Sequence, residues 1–261
     1  MTSSNHKLSV LITRPEPGAT SLAEAVRGLG LKPLIAPMLE ISALKTIDTP
    51  KCFAPEEADA LIFVSGPAVE FGIRHLQGAK LEEKKIYAVG ASTAARIRGS
   101  LASQPPVDIF LPEQGFNSEA LLGLDDFQPA KVRGLKILIV RGLGGREFLA
   151  DELRKRGAEV GYLQVYERIP SALSLRAILA EARVSVPSIG VVTSVEGLRR
   201  LGEHIKAEKL TPLFEMPILA SGARIAREVP ILGFTKPPLI ADNPTQGFII
   251  AGLKRWAMEK L

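Results

Sequence analysis

Three glycines and two arginines behind an apolar run make "LIVRGLGGREFLADEL", Leu138 to Leu153, the first place to look for chemistry. Ile137–Val140 has the composition of a buried strand, Gly142, Gly144 and Gly145 follow, and a helical pattern begins after them. Strand, glycines, helix is the order in which proteins cradle a pyrophosphate at a helix N-terminus. The dinucleotide fingerprint, however, needs a further glycine where Glu147 stands, and a carboxylate there repels phosphate. What remains is a turn whose backbone amides, with Arg141 and Arg146, suit another anion such as a carboxylate. The glycines serve equally well as a tight strand-to-helix connection. A phenol, Tyr166 in "QVYER", stands at the end of the next strand-like run. Protonated at neutral pH, it offers a proton or a hydrogen bond; an amphipathic tyrosine at a domain edge fits the same position.

The familiar catalytic sets are missing. His6 is in the N-terminal tail, and His75 and His204 occupy equivalent late-helix positions that read as solvated faces. None has the spacing of a zinc site. Ser65 and Ser194 lack the nucleophile elbow and an adjacent base, so they read as helix caps. Cys52, beside Lys51, has the surroundings of a bystander. No phosphate-binding lysine motif and no acidic cluster for magnesium is present.

The elements that must position these groups come from an internal repeat. "VLITRPEPGATSLAEAVRGLGLKPLIAPMLEI" (Val10 to Ile41) lies over "ILIVRGLGGREFLADELRKRGAEVGYLQVYER" (Ile137 to Arg168) without a gap, at a constant offset of 127. Arg14 pairs with Arg141, Gly18 with Gly145, Gly30 with Gly157 and Glu40 with Glu167. The echo continues in "ALIFVSGPAV" over "IGVVTSVEGL", in "IYAVGASTAARI" over "ILASGARIAREV", and loosely in "DIFLPEQGFNSEALL" over "PLIADNPTQGFIIAGL". Each half predicts strand, helix, strand, then strand, helix, strand, helix, strand, helix. Short continuous apolar runs mark buried parallel strands, and Leu22, Ala25, Val26 and Leu29 recur at helical spacing. Gly30 and Gly157 stand where a glycine closes a helix. Glu167 sits where a ribose-binding carboxylate belongs, but its twin Glu40 makes it a feature of the repeat. In such sheets ligands gather at the C-terminal strand ends. The loops there are rich in Gly, Ser and Thr and carry Arg14, Arg141, Arg146 and Arg224, a setting for a large, multiply anionic ligand.

Bulk composition narrows the classes. At 261 residues and 46% hydrophobic the chain has material for two packed domains. Its apolar runs are far shorter than the roughly 20 residues of a membrane span, and its polar start lacks a signal-peptide core. A single cysteine fits a reducing compartment, so the expected location is cytoplasmic. The net charge of +5 is compatible with an acidic ligand. Nucleic acid is not expected as a partner, because Lys and Arg are scattered and aromatics are only 5% of the chain.

Taken together, "LITRP", "ALIFVSGPAV", "IYAVGASTA", the Leu138–Arg168 stretch and the closing "NPTQGF" resemble the uroporphyrinogen-III synthase family, over about Leu8 to Trp256. The resemblance implies two similar three-layer α/β domains with parallel sheets, joined by a two-stranded linker, with a cleft between them. The repeat alone would divide the chain near Ala130. The resemblance implies instead one domain of residues 1–39 with 168–261 and another of residues 40–167. It implies a lyase, without cofactor or metal, that closes the linear tetrapyrrole hydroxymethylbilane into uroporphyrinogen III with inversion of ring D. By motif, substrate-binding positions fall on Arg14, Ser65, Gly90, Ser92, Thr93, Arg141, Arg146, Ser194, Ser221 and Gly222. The family's tyrosine, which assists loss of the hydroxyl group, falls on Tyr166. Pro67, and Arg224 with Ile225, depart from the residues common in the family. A monomer is expected, with a transient contact to the enzyme that supplies hydroxymethylbilane. The main alternative from the residues is a non-catalytic two-lobed module that binds an anionic small molecule; a nucleotide-dependent enzyme is the third.

Overall fold

The computed structural model describes residues 8–48, 52–76, 78–103, 105–115, 117–241 and 245–260. The first half of the repeat gives β1 (Ser9–Ile12), α1 (Gly18–Gly28), β2 (Lys32–Ile35), β3 (Leu39–Ala43), β4 (Ala60–Phe63), α2 (Gly66–Gly72), β5 (Lys85–Ala88), α3 (Ala91–Ser100), β6 (Ile109–Phe110), α4 (Ser118–Leu122) and α5 (Pro129–Val132). The second gives β7 (Lys136–Gly142), α6 (Phe148–Lys155), β8 (Glu159–Pro170), α7 (Leu175–Ala182), β9 (Ile189–Val192), α8 (Val195–Ala207), β10 (Ile218–Ala220), α9 (Ala223–Ile231), β11 (Leu239–Ile240) and α10 (Gln246–Met258). The alternation read from the repeat is present in both halves. Gly30 and Gly157 follow α1 and α6 with φ of 76° and 94°, left-handed values that favour a residue without Cβ.

The halves do not each fold alone. The chain separates into two compact units, Met1–Glu40 with Ile169–Leu261, and Ile41–Arg168. The first holds a sheet in the order β11-β10-β9-β1-β2, and the other sheet runs β3-β8-β7-β4-β5-β6. Within the first, β1 pairs in parallel with β2 and β9, and β10 with β9 and β11. In the second, β4 pairs in parallel with β5 and β7, β5 with β6, and β7 with β8. Each unit is therefore doubly wound, and its parallel strands bring their C-terminal ends to one edge.

Packing explains why the strands read as unbroken apolar runs. In the first unit α1 and α10 cover one face through Leu22, Val26, Ile249 and Trp256, while α7, α8 and α9 cover the other. In the second, α2 and α3 cover one face, and α4, α5 and α6 the other. Alternate residues of β4 accordingly serve opposite cores, Leu61 and Phe63 on one side and Ala60 and Ile62 on the other. Both sides of each sheet are dry, as parallel sheets require.

One asymmetry between the halves matters for the site. In the first half Pro37 falls between β2 and β3, and a proline has no N–H for a ladder. Its counterpart at the offset of 127 is Gln164, and there the strand runs unbroken from Glu159 to Pro170. Glu167 and Tyr166 thus do not end their strand, as the sequence pattern suggested; they lie inside it. β3 is the neighbour of β8, with Leu44 N donating to Val165 O and Ser171 N to Met38 O. One index rises as the other falls, which is antiparallel pairing.

Candidate functional site

All eleven positions singled out by the resemblance lie at or next to the C-terminal edges of the parallel sheets. The first unit carries Arg14 after β1, Ser194 after β9, and Ser221 with Gly222 after β10. The second carries Ser65 after β4, Gly90, Ser92 and Thr93 around the start of α3, Arg141 in β7, Arg146 before α6, and Tyr166 in β8.

Tyr166 owes its orientation to a bulge. Along the β7–β8 ladder Arg141 pairs with Gln164 but Gly142 pairs with Tyr166, so Val165 is an extra residue on β8. Strict alternation would send Tyr166 to the same face as Val160 and Tyr162, against α6. The inserted residue instead turns it to the α2 face with Leu163 and Val165. There Tyr166 is 2% exposed, and its hydroxyl lies 3.1 Å from Ser65 Oγ. Its ring closes on the Cα of Gly142, where any Cβ would come within 2.6 Å of it. The Arg168 guanidinium stands 5.9 Å from the ring centre.

Ser65 is a helix cap, as the sequence suggests, and more. Its Oγ accepts the Ala68 N–H at 3.3 Å at the start of α2. Ser65 is half-buried, whereas Tyr166 is buried. Tyr166 has no other hydrogen-bond partner among the described residues, so its O–H has only Ser65 to donate to. A buried donor left unsatisfied costs about 1–3 kcal/mol, which favours Tyr166 as donor and Ser65 as acceptor. Ser65 Oγ then accepts twice, and its own proton points elsewhere. Ser194 repeats the cap on α8, accepting the Gly197 N–H at 3.0 Å.

The glycine turn that first suggested a phosphate site holds an anion of its own. Arg141, only 6% exposed, donates from Nη1 to Glu147 Oε1 at 3.0 Å and from Nη2 to the Gly144 carbonyl. Glu147 also accepts from the Tyr162 hydroxyl, and the Arg141 guanidinium stacks 4.7 Å above the Tyr162 ring. The Tyr162 hydrogen bond, followed by the nearby Arg141 charge, holds the Glu147 carboxyl below the usual carboxylate range. Burial, and then the Glu147 charge, pushes the Tyr162 phenol up. Gly144 and Gly145 turn at φ of 70° and 98° beneath this lattice, the glycine-only geometry of a tight connection. Sequence reasoning took Glu147 as an obstacle to phosphate and passed over Tyr162. Their signal was a carboxylate six residues beyond a buried arginine, across a glycine turn. Arg146 is exposed and pairs with Glu119 at 2.9 Å.

The first unit leaves more donors free. Arg14 is half-buried over Gly18 and has no hydrogen bond or salt bridge among the described residues. Burial draws its pKa down, with Glu16 opposing. Ser221 is 7% exposed, and its buried hydroxyl finds no partner among the described residues. An unpaired buried hydroxyl beside an unpaired guanidinium's sheet edge is what a polar, anionic ligand would satisfy. Arg224 is exposed, Gly90 and Thr93 are buried, and Ser92 is exposed. His75 is exposed and His204 half-buried; His6, and Asn243 and Pro244 of "NPTQGF", lie outside the described residues. No three His, Cys, Asp or Glu side chains stand together as metal ligands would, among the described residues. Nor is any described helix long and apolar enough to cross a membrane.

A groove of about 540 Å³ lies at the opposite, N-terminal edge of the second unit's sheet, lined by Tyr87, Asp126, Lys85 and Lys131 among others. Its polar atoms are spent on one another: Asp126 takes Lys85 and the Tyr87 hydroxyl, each at 2.8 Å. The groove therefore offers little to a ligand that the C-terminal edge does not offer better.

Known proteins of one kind match the chain. A family described as uroporphyrinogen-III synthase HemD matches residues 20–251. The uroporphyrinogen-III synthase of Salmonella typhimurium is 30% identical over 259 residues, covering 95% of this chain and 100% of that one. That of Escherichia coli is 28% identical over 253 residues, covering 95% and 100%. Among solved structures, uroporphyrinogen-III synthetase from Helicobacter pylori is similar with a TM-score of 0.59 at 18% identity, covering 98% of this chain and 100% of that one. A variant of the Thermus thermophilus synthase gives 0.57 at 19%, covering 97% and 100%. These two likenesses bear on the fold, which is of the same two-sheet α/β kind. The sequence matches, spanning nearly the whole chain, go further: the chain belongs to the uroporphyrinogen-III synthase family.

Proposed function

We propose that the chain closes the linear tetrapyrrole hydroxymethylbilane into uroporphyrinogen III, losing water and inverting ring D, as a lyase of porphyrin biosynthesis. The substrate cyclises unaided to the other isomer, so the task is control of geometry rather than activation. Eight carboxylates need to be clamped while ring D's substituted carbon attacks ring A and passes through a spiro intermediate. Amides, hydroxyls and arginines that are preorganised for anions suit that work, since positioning and fixed dipoles lower such barriers without a metal or a strong nucleophile.

The observation that carries this reading is the buried phenol of Tyr166, turned by a bulge onto Ser65 amid donor-rich strand ends. Tyr166 assists loss of the substrate's hydroxyl. Arg14, Ser65, Gly90, Ser92, Thr93, Arg141, Arg146, Ser194, Ser221 and Gly222 form the surfaces that receive the tetrapyrrole. Arg14 and the Ser221 hydroxyl contribute free donors. Arg141 acts chiefly by fixing the turn that presents the Leu143–Arg146 amides. The working domains are residues 1–39 with 168–261, and residues 40–167. We further infer a cytoplasmic monomer, with neither nucleic acid nor membrane as partner, that receives substrate in a transient contact with the enzyme producing it. Tyr166→Phe tests the phenol's role: turnover should fall while the unfolding midpoint changes little. An unchanged rate would remove Tyr166 from the mechanism.

A further inference from the structure

We propose that Ser65 hands the proton to the departing hydroxyl of the substrate and draws its replacement from Tyr166, which stands behind it. The inference rests on the synthase reading above and assigns the proton's path within it. Tyr166 is 2% exposed, too buried for its oxygen to be the group that meets a large substrate, whereas Ser65 is half-buried at the strand edge. The two oxygens are 3.1 Å apart, within hydrogen-bond reach for proton transfer. Ser65 Oγ already accepts the Ala68 N–H at 3.3 Å. With the Tyr166 O–H as its second donor, both lone pairs are engaged and the Ser65 proton is directed away from them.

The step balances. The carbon–oxygen bond of the hydroxymethyl group breaks with its electron pair on oxygen, while Ser65 supplies the proton that makes the leaving group water. The pyrrole nitrogen lone pair fills the deficit at carbon. Ser65 takes the Tyr166 proton as its own departs, leaving a phenolate with Arg168 5.9 Å from the ring centre. Ring D bonds to ring A through its substituted carbon, and the bond from that carbon to its former bridge then breaks. The bridge rejoins ring D at the unsubstituted carbon, whose proton returns through Ser65 to Tyr166. Gly142 keeps the phenol in register for both transfers, because its missing Cβ is the space the ring occupies.

The test is a comparison of kcat and KM on hydroxymethylbilane for the wild type, Ser65→Asn, Ser65→Thr, Tyr166→Phe and the double variant Ser65→Asn with Tyr166→Phe. Asparagine caps helices as well as serine does, so α2 keeps its start, but an amide does not pass a proton on. Ser65→Asn should lower kcat about 100-fold, as much as Tyr166→Phe, with KM little changed. The double variant should be no slower than either single one, and Ser65→Thr should recover most of the rate. In mixtures of light and heavy water the wild-type rate should bow, as two moving protons require, and Ser65→Asn should lose that curvature. Wild-type turnover in Ser65→Asn, multiplied losses in the double variant, or a straight wild-type plot would each overturn the relay and leave the synthase reading standing. A wild-type protein that makes no type III isomer would overturn both.

Discussion

Gly142→Ala adds a single methyl group, and the structure says where it goes. Gly142 ends β7 outside the left-handed region, so alanine meets no backbone penalty there. Its Cβ, however, would lie 2.6 Å from both Cε2 and Cζ of Tyr166 and 3.1 Å from Cδ2. Ordinary contact begins near 3.4 Å, so the ring has to retreat by about 0.8 Å. It has little freedom to do so, being 2% exposed, packed beside Phe71 and held to Ser65 through its hydroxyl. Overpacking of this kind costs about 1–3 kcal/mol, and restriction of the unfolded chain returns roughly 0.4–1, leaving a net loss of about 1–2 kcal/mol. Turnover should fall further than stability suggests, because a displacement near 1 Å at a reacting group costs up to ~100-fold. Urea unfolding followed by fluorescence, with turnover measured on the same sample, reads both effects. In a Tyr166→Ala background the methyl group should become neutral or stabilising. An unchanged midpoint and rate in the single variant would mean that Tyr166 does not rest on Gly142, and the placement of the phenol would fail with it.

Other perturbations separate structural from chemical roles. Ser194→Ala removes the bond to Gly197 N–H and should cost α8 about 1 kcal/mol in urea unfolding, with Ser194→Asn restoring it; equal midpoints for all three would refute the cap. Glu147 has a folded pKa below its ordinary 4.5, so its contribution is complete above that pH and disappears as pH falls through the lower folded value. The stability gap between wild type and Glu147→Gln should therefore narrow as pH drops below about 4.5, modestly because the carboxylate is half in solvent. A gap constant from pH 7 to 3 would contradict the Tyr162–Glu147–Arg141 lattice. Arg141→Ala should loosen the turn, seen as faster amide hydrogen exchange from Leu143 to Glu147; exchange at the wild-type rate would return Arg141 to the role of a free clamp.

Much of the fold was legible because duplicated segments state their pattern twice. Gly30 and Gly157 ended their helices, and Ser65 and Ser194 began theirs, as the aligned loops indicate. Similarity between halves carries no information on which strands pair, so a division at Ala130 fell inside α5, within one compact unit. The bulge at Val165 was hidden for a different reason. The two halves align without a gap there, because the first half adapts by breaking its strand at Pro37 rather than by inserting a residue. Hence the side chain that matters most, Tyr166, could be named from the sequence but not aimed. The partners of Arg141 were hidden in a similar way. Its charge was visible, while the carboxylate and carbonyl that occupy it come together only when the glycines turn.

The most direct test of the synthase assignment is the product itself. Freshly generated hydroxymethylbilane would be incubated with and without the folded protein, and the oxidised products separated into type I and type III isomers. Type III in excess over the protein-free sample is the expected result. Type I alone, in the same amount as without protein, would contradict it and leave a two-unit scaffold that binds an anionic molecule without performing this chemistry.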